Sequence, residues 1–365
     1  MNGGHRPRDS GHLPTGALLD DRFQIDGQLG EGANGAVYSA VDRTSGARVA
    51  VKMLHRHLLT DRQIQKRFYR EAAIHRRLNG PHIVPMIAFG EHDGQLYMAL
   101  ELASGMSLEA LVLEQGALAP ERAVRIVMQI CEALEGAHAA SVIHRDLKPA
   151  NIIVQRIQDG SDSVKVLDFG MAKLVHGDGP GSTALTEQNM VFGTPEYMSP
   201  EQARGDELDE TTDVYAAGVI LYELLTGRVP FSAPTPVGVM TAHLVQVAVP
   251  PRERSPGRGI GLGLEQVVLA ALAKDRRARY PGAKALREAL AQALDKPDSL
   301  DLTPRGAVLV APQLSPSAPA PAQITSDRPG LGLARDYGLP LSVWVTIGVS
   351  AAAVGIAIGI WISLR

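Results

Sequence analysis

The 365-residue chain has a single cysteine, Cys131, which excludes an internal disulfide framework and fits a reducing compartment. It also lacks a dominant charge: 36 Lys and Arg face 39 Asp and Glu, a formal net charge of −3. No general pull toward nucleic acid follows, so any electrostatic partner must be local. Met1 to Thr15 contains no apolar h-region, and no cleavable secretory signal is expected there. Charge disappears altogether between Asp336 and Arg365. What is present is a 45% hydrophobic composition, enough for a sizeable core and two or three domains. Cys131 lies in a helical pattern among apolar neighbours, so burial is expected of it rather than reactivity.

The uncharged C-terminal run, Pro340 to Leu364, is nearly continuous Val, Ile, Leu, Ala and Gly. About 20 apolar residues cross a bilayer core, so a transmembrane helix is expected over 339–364. Trp344 and Trp361 lie near its two ends, as an interfacial belt requires. Within it Gly355 and Gly359 form a small-xxx-small pair, a candidate homodimer face. Ahead of it, 296–338 has the Pro, Ser and Gly composition of a flexible juxtamembrane linker.

From the start, residues 1–20 are expected to be disordered. Alternation at Phe23, Ile25 and Leu29 leads into Gly30, Gly32 and Gly35 and then a second strand pattern, Ala36 to Val41. Glycines at this spacing let backbone N–H groups approach phosphates, and a following strand makes them a hairpin flap rather than a helix N-terminus. Lys52 sits in the β-branched run Arg48 to Leu54; taken alone it reads as an exposed lysine on a strand face, and if buried its ammonium needs a carboxylate or anion. The basic helical pattern Asp61 to Leu78 carries one central acid, Glu71, the natural partner for Lys52. Strand signals recur at Ile83 to Phe89 and Gln95 to Leu102; after Ala103-Ser104-Gly105 the chain turns helical. That shift divides 21–295 into a β-rich part (about 21–103) and a helical part (about 104–295).

Inside the helical part, His144 to Asn151 packs an acid, two bases and an amide into eight residues. Seventeen residues on comes Asp168-Phe169-Gly170. Acids and an amide presented from loops beside strands suggest a site holding metal ions and a proton acceptor.

Glycine flap, Lys52, Glu71, His144–Asn151 and Asp168–Gly170, in that order, resemble the eukaryotic-type (Hanks-type) Ser/Thr protein kinases, in their bacterial membrane-anchored branch. The resemblance covers about Phe23 to Leu294. It implies an α+β, bilobal protein-kinase fold and transfer of the γ-phosphate of ATP to Ser/Thr hydroxyls of protein substrates. By resemblance, Gly30, Gly32 and Gly35 cover the phosphates, Lys52 held by Glu71 contacts them, and Leu29, Val37, Ala50 and Ile153 enclose adenine. The main chain of Glu101 and Ala103 meets the adenine edge, with Leu100 as gatekeeper. Asn151 and Asp168 hold Mg²⁺, with Mn²⁺ an alternative; Asp146 accepts the hydroxyl proton and Lys148 steadies the γ-phosphate. His144 becomes structural, packing near Phe169.

Gly193 to Glu201 resembles the end of an activation segment, with Glu201 expected to pair with Arg279 and Asp213 to anchor the catalytic loop. Arg145 is the expected receiver of a regulatory phosphate on Thr183, Thr186 or Ser182, placed there by autophosphorylation. ATP is cytosolic, so the expected location is a single-pass inner-membrane protein with its folded head in the cytoplasm, the lipid bilayer a partner and nucleic acid not. A pseudokinase scaffold would be favoured by loss of Lys52, Asp146 or Asp168, and all three are present. A small-molecule phosphotransferase is disfavoured by Gly193 to Glu201, which shapes a peptide groove.

Overall fold

A computed structural model describes residues 13–32, 34–169 and 194–298. The first part is an antiparallel sheet in the order β1-β2-β3-β4-β6-β5. Its strands are β1 (Leu18–Leu19), β2 (Phe23–Gly32), β3 (Gly35–Asp42), β4 (Arg48–Leu54), β5 (Met86–His92) and β6 (Gln95–Glu101). Helix α1 (Arg62–His75) intervenes between β4 and β5; Asp61 caps it by accepting from the N–H groups of Gln63 and Ile64. One sheet face packs Phe23, Tyr38, Val49, Val51 and Tyr97 together. Another cluster joins Leu54, Met98 and Leu100 to Phe68 and Ala72 of α1. Period-two alternation sends one set of side chains to each, and full burial of such residues stabilises by roughly 1.5–3 kcal/mol apiece.

The second part holds β7 (Met106–Ser107), α2 (Leu108–Gln115), α3 (Pro120–Ala139), β8 (Ile152–Arg156) and β9 (Asp162–Val166). After the undescribed stretch 170–193 follow α4 (Pro200–Arg204), α5 (Glu210–Thr226), α6 (Pro236–Val245), α7 (Pro251–Arg254), α8 (Leu262–Ala271) and α9 (Ala283–Asp295). Proline opens α3, where its missing N–H is not needed. Helix α5 is buried on nearly every face because α3, α8 and α9 surround it. Cys131 on α3 is wholly buried, and burial pushes its thiol pKa up, away from reactivity.

Two elements differ from the sequence expectation. Residues 13–20 are placed, with Leu19 buried and β1 paired to β2. The strand expected from Ile83 begins at Met86, because Pro85 has no N–H to give a ladder. Ile83 and Val84 instead lie buried against β9: Val166 N donates to His82 O (2.8 Å) and Val84 N to Val166 O (3.3 Å). Among the described residues no helix is long and apolar enough to cross a membrane; the run 339–364 lies outside them.

Candidate active site

Lys52 lies mid-way along β4, paired with Val37 of β3 and Met98 of β6. Its Nζ stands 3.4 Å from Glu71 Oε1 on α1 and 3.2 Å from Asp168 Oδ1 just after β9. An ammonium in a mostly buried strand thus meets two carboxylates from two other elements. Burial opposes its charge, but Asp168 and Glu71 outweigh burial and raise its pKa. For Asp168 burial likewise opposes ionisation, and the Lys52 ammonium holds its carboxyl below the usual carboxylate range. Glu71 goes the other way: burial, reinforced by the Asp168 charge, pushes it up to about 7 despite Lys52.

One turn beyond Glu71, His75 is buried with neither ring nitrogen hydrogen-bonded among the described residues. Burial lowers its pKa to about 4, so it is neutral. The spacing of four residues from Glu71 was the one sequence signal for it, masked by the basic helical stretch around it, which reads as surface.

The loop carrying Asp146 is built from the helix side. Asp213 near the start of α5 is buried and accepts from His144 N (2.8 Å), Arg145 N (3.0 Å) and His138 Nε2 (2.8 Å). His144 packs its ring against Phe169, centroids 4.7 Å apart, and its Nε2 donates to Leu167 O at 2.9 Å. Its Nδ1 accepts from Asp146 N at 3.3 Å, so both nitrogens are occupied in holding backbone. Asn151 Nδ2 donates to Asp146 O (2.9 Å) and Oδ2 (3.3 Å), and Lys148 Nζ is 2.9 Å from Asp146 Oδ2. Leu167 N in turn donates to Asn151 O at 2.8 Å, tying the Asp146 cluster to the segment that presents Asp168. Arg145 (φ 67°) and Asp168 (φ 53°) both occupy the left-handed region. For non-glycine residues this costs on the order of 1–3 kcal/mol and persists where surroundings over-determine it.

Residues 23–288 match the family described as "Protein kinase domain". The chain belongs to that family. Among curated relatives it is 41% identical, over 87% of its own length, to the serine/threonine-protein kinase pkn3 of Myxococcus xanthus. It is 40% identical, over 75% of its length, to the serine/threonine-protein kinase PknB of Mycobacterium leprae. The match covers 59% of the first relative and 43% of the second, so the chain spans about half the length of these relatives. The crystal structure of the Mycobacterium tuberculosis PknI kinase domain has the same fold, with a TM-score of 0.59 at 23% identity. That likeness covers 78% of this chain and 100% of the other. The bilobal kinase fold expected from the sequence is therefore the fold observed.

The other residues singled out in the sequence lie on β2, β3, β4, β6 and β8 and just after β6. Gly30, Gly32 and Gly35 lie where β2 turns into β3, with Gly30 opposite Val37 and Gly32 opposite Gly35. Leu29 is exposed beside them. Ala50 and Lys52 share a β4 face by strand alternation. Ile153 is half-buried on β8, and Leu100 is buried on β6 opposite Ala50. Glu101 N donates to Pro85 O and Leu102 N to Arg48 O, while Ala103 N has no backbone partner among the described residues. The Glu101 side chain pairs with Lys165 Nζ at 3.2 Å. Ser182, Thr183 and Thr186 lie outside the described residues.

Away from Lys52 and Asp146, the expected Glu201–Arg279 pair forms, and Tyr197 donates to Glu223 Oε2 at 2.7 Å. A small open pocket beside Asp146 is lined by Arg145, Leu147, Thr194, Tyr197, Met198 and Gln202. No carboxylate pairs with the Arg145 side chain among the described residues. Sequence reading missed His138 and Gln202. Both act through polar contacts between elements distant in the chain, for which no local pattern exists.

Proposed function

We propose that the chain is a serine/threonine protein kinase transferring the γ-phosphoryl group of ATP to protein hydroxyls. The observation that carries this is Lys52 bridging Glu71 of α1 and Asp168 after β9. A cation fixed between two carboxylates is already positioned for phosphates, and phosphoryl transfer depends on such positioned charge more than on covalent help.

In this reading Gly30, Gly32 and Gly35 cover the phosphates, and Leu29, Val37, Ala50 and Ile153 enclose the base. The Ala103 N–H meets the adenine edge together with the Glu101 main chain. Asp168 and Asn151 suit a hard cation such as Mg²⁺, or Mn²⁺ in its place. Lys52 keeps Asp168 ionised, and Asn151, with Nδ2 committed to Asp146, has its Oδ1 left as a ligand oxygen. The metal when bound neutralises phosphate charge. Asp146, held by Lys148 and Asn151, orients the acceptor hydroxyl and takes its proton, and Lys148 steadies the γ-phosphate.

Arg145, beside Asp146 and without a carboxylate partner among the described residues, is the receiver for a phosphate on Thr183, Thr186 or Ser182, added by the kinase itself. Residues 21–295 form the catalytic unit, 296–338 a linker, and 339–364 a membrane span that tethers it to the cytoplasmic face. Gly355 and Gly359 offer a face for pairing within the bilayer. Transfer of radiolabelled phosphate from ATP to a generic protein acceptor, with Lys52→Met as control, tests the activity. Loss of labelling in the control supports it, and equal labelling by both proteins refutes it. Phosphopeptide mapping against Asp146→Asn tests self-activation, which fails if the same sites are occupied in both.

A further inference from the structure

We propose that Gln202 is a positioning residue for the catalytic loop, fixing through its side-chain amide the backbone from which Asp146 projects. The inference rests on the kinase reading above. Gln202 belongs to the short helix α4, whose N-cap is Ser199. It completes a capping box: its backbone N–H donates to Ser199 Oγ (3.3 Å), and its Oε1 accepts from Ser199 N (3.0 Å). Either glutamate or glutamine serves that purpose equally. Only glutamine has a donor left over. Here that donor, Nε2, reaches 57 residues back along the chain to Arg145 O at 2.7 Å.

The carbonyl it holds matters because of what surrounds it. Arg145 is in the left-handed region at φ 67°, a conformation that needs support on both sides of the residue. On its N-terminal side Asp213 accepts the Arg145 N–H at 3.0 Å. On its C-terminal side the 145–146 peptide is held at both polar atoms: its carbonyl by Gln202 and its N–H by His144 Nδ1. That peptide sets the direction in which Asp146 leaves the main chain. Gln202 also lines the pocket beside Asp146 together with Thr194, Tyr197 and Met198. The segment that bounds the acceptor pocket thus grips the catalytic loop directly, by a bond that capping does not require.

Comparing Gln202→Glu with Gln202→Ala in the full chain separates the two roles. Glu retains the capping acceptor and loses the donor; Ala loses both. Both variants are expected to show a kcat for acceptor phosphorylation at least tenfold lower, about 1.4 kcal/mol of barrier, with nucleotide affinity unchanged. Thermal stability should fall in Gln202→Ala alone. Hydrogen exchange of the Asp146 amide, which needs no catalysis, should quicken about tenfold in both. A wild-type kcat in Gln202→Glu overturns the proposal, as does unchanged exchange at Asp146. Should the wild-type chain transfer no phosphate, the kinase reading itself fails, and the exchange measurement alone decides whether Gln202 holds the loop.

Discussion

Arg279 and Glu201 form a two-bonded ion pair, Nη1 to Oε1 at 2.8 Å and Nη2 to Oε2 at 2.9 Å, with neither side chain exposed. The pair fastens the turn before α9 to the start of α4, and Thr212 Oγ1 adds a bond to Glu201 Oε1 at 2.9 Å. Burial alone would raise the Glu201 pKa; the Arg279 guanidinium outweighs it and holds the carboxyl at about 2, against an ordinary 4.5. The resulting stability is fully present above about pH 4.5 and is lost as pH falls through about 2. At 1.36 kcal/mol per unit it amounts to roughly 3 kcal/mol. Urea unfolding followed from pH 5 to pH 2 should show this loss in the wild type and a flatter profile in Glu201→Gln. Arg279→Met leaves a buried carboxylate unpaired and should destabilise by about 3–5 kcal/mol at pH 7.

Glu71 titrates in the opposite sense. Its value near 7 means that protonation competes with the Lys52 contact over the neutral range. The ratio of wild-type to Glu71→Gln nucleotide affinity is expected to be largest above pH 7 and to shrink toward one as pH falls through it. A pH-independent ratio would show that Glu71 stays ionised throughout.

The three flap glycines are not equivalent. A Cβ on Gly35 would lie 2.1 Å from Met53 O of β4, so the backbone itself blocks any side chain there. At Gly30 a Cβ meets nothing within 4 Å, and at Gly32 only Gly35 O at 3.9 Å. Gly35→Ala should therefore lower the melting temperature. Gly30→Ala and Gly32→Ala should leave it unchanged and act only on nucleotide binding. Equal melting temperatures for all three variants would remove the packing role of Gly35.

These contrasts mark what the sequence could reveal. Lys52, Glu71, Asp146, Asn151 and Asp168 were singled out because their motifs, taken in order, resemble those of a known family. The reassignment of Ile83 and Val84 was less visible, since an apolar pair reads alike in a strand and in a buried connector. Gln202 was invisible for a different reason: its partner lies 57 residues away and is a backbone carbonyl, which has no side-chain identity to read. His75 was missed although it follows Glu71 by four residues and so shares its helix face, because the basic run around it reads as surface.

Asp146 is the residue on which the whole account depends, because Lys148, Asn151, His144 and Gln202 all act by holding it or its backbone. The direct measurement is single-turnover transfer of labelled phosphate from ATP to a protein acceptor by wild type and Asp146→Asn, at matched nucleotide occupancy. The predicted result is a rate lower by about 10²–10⁴-fold in the variant, the range for loss of a positioned proton acceptor, with melting temperature and ATP affinity retained. Equal rates in the two proteins would contradict it.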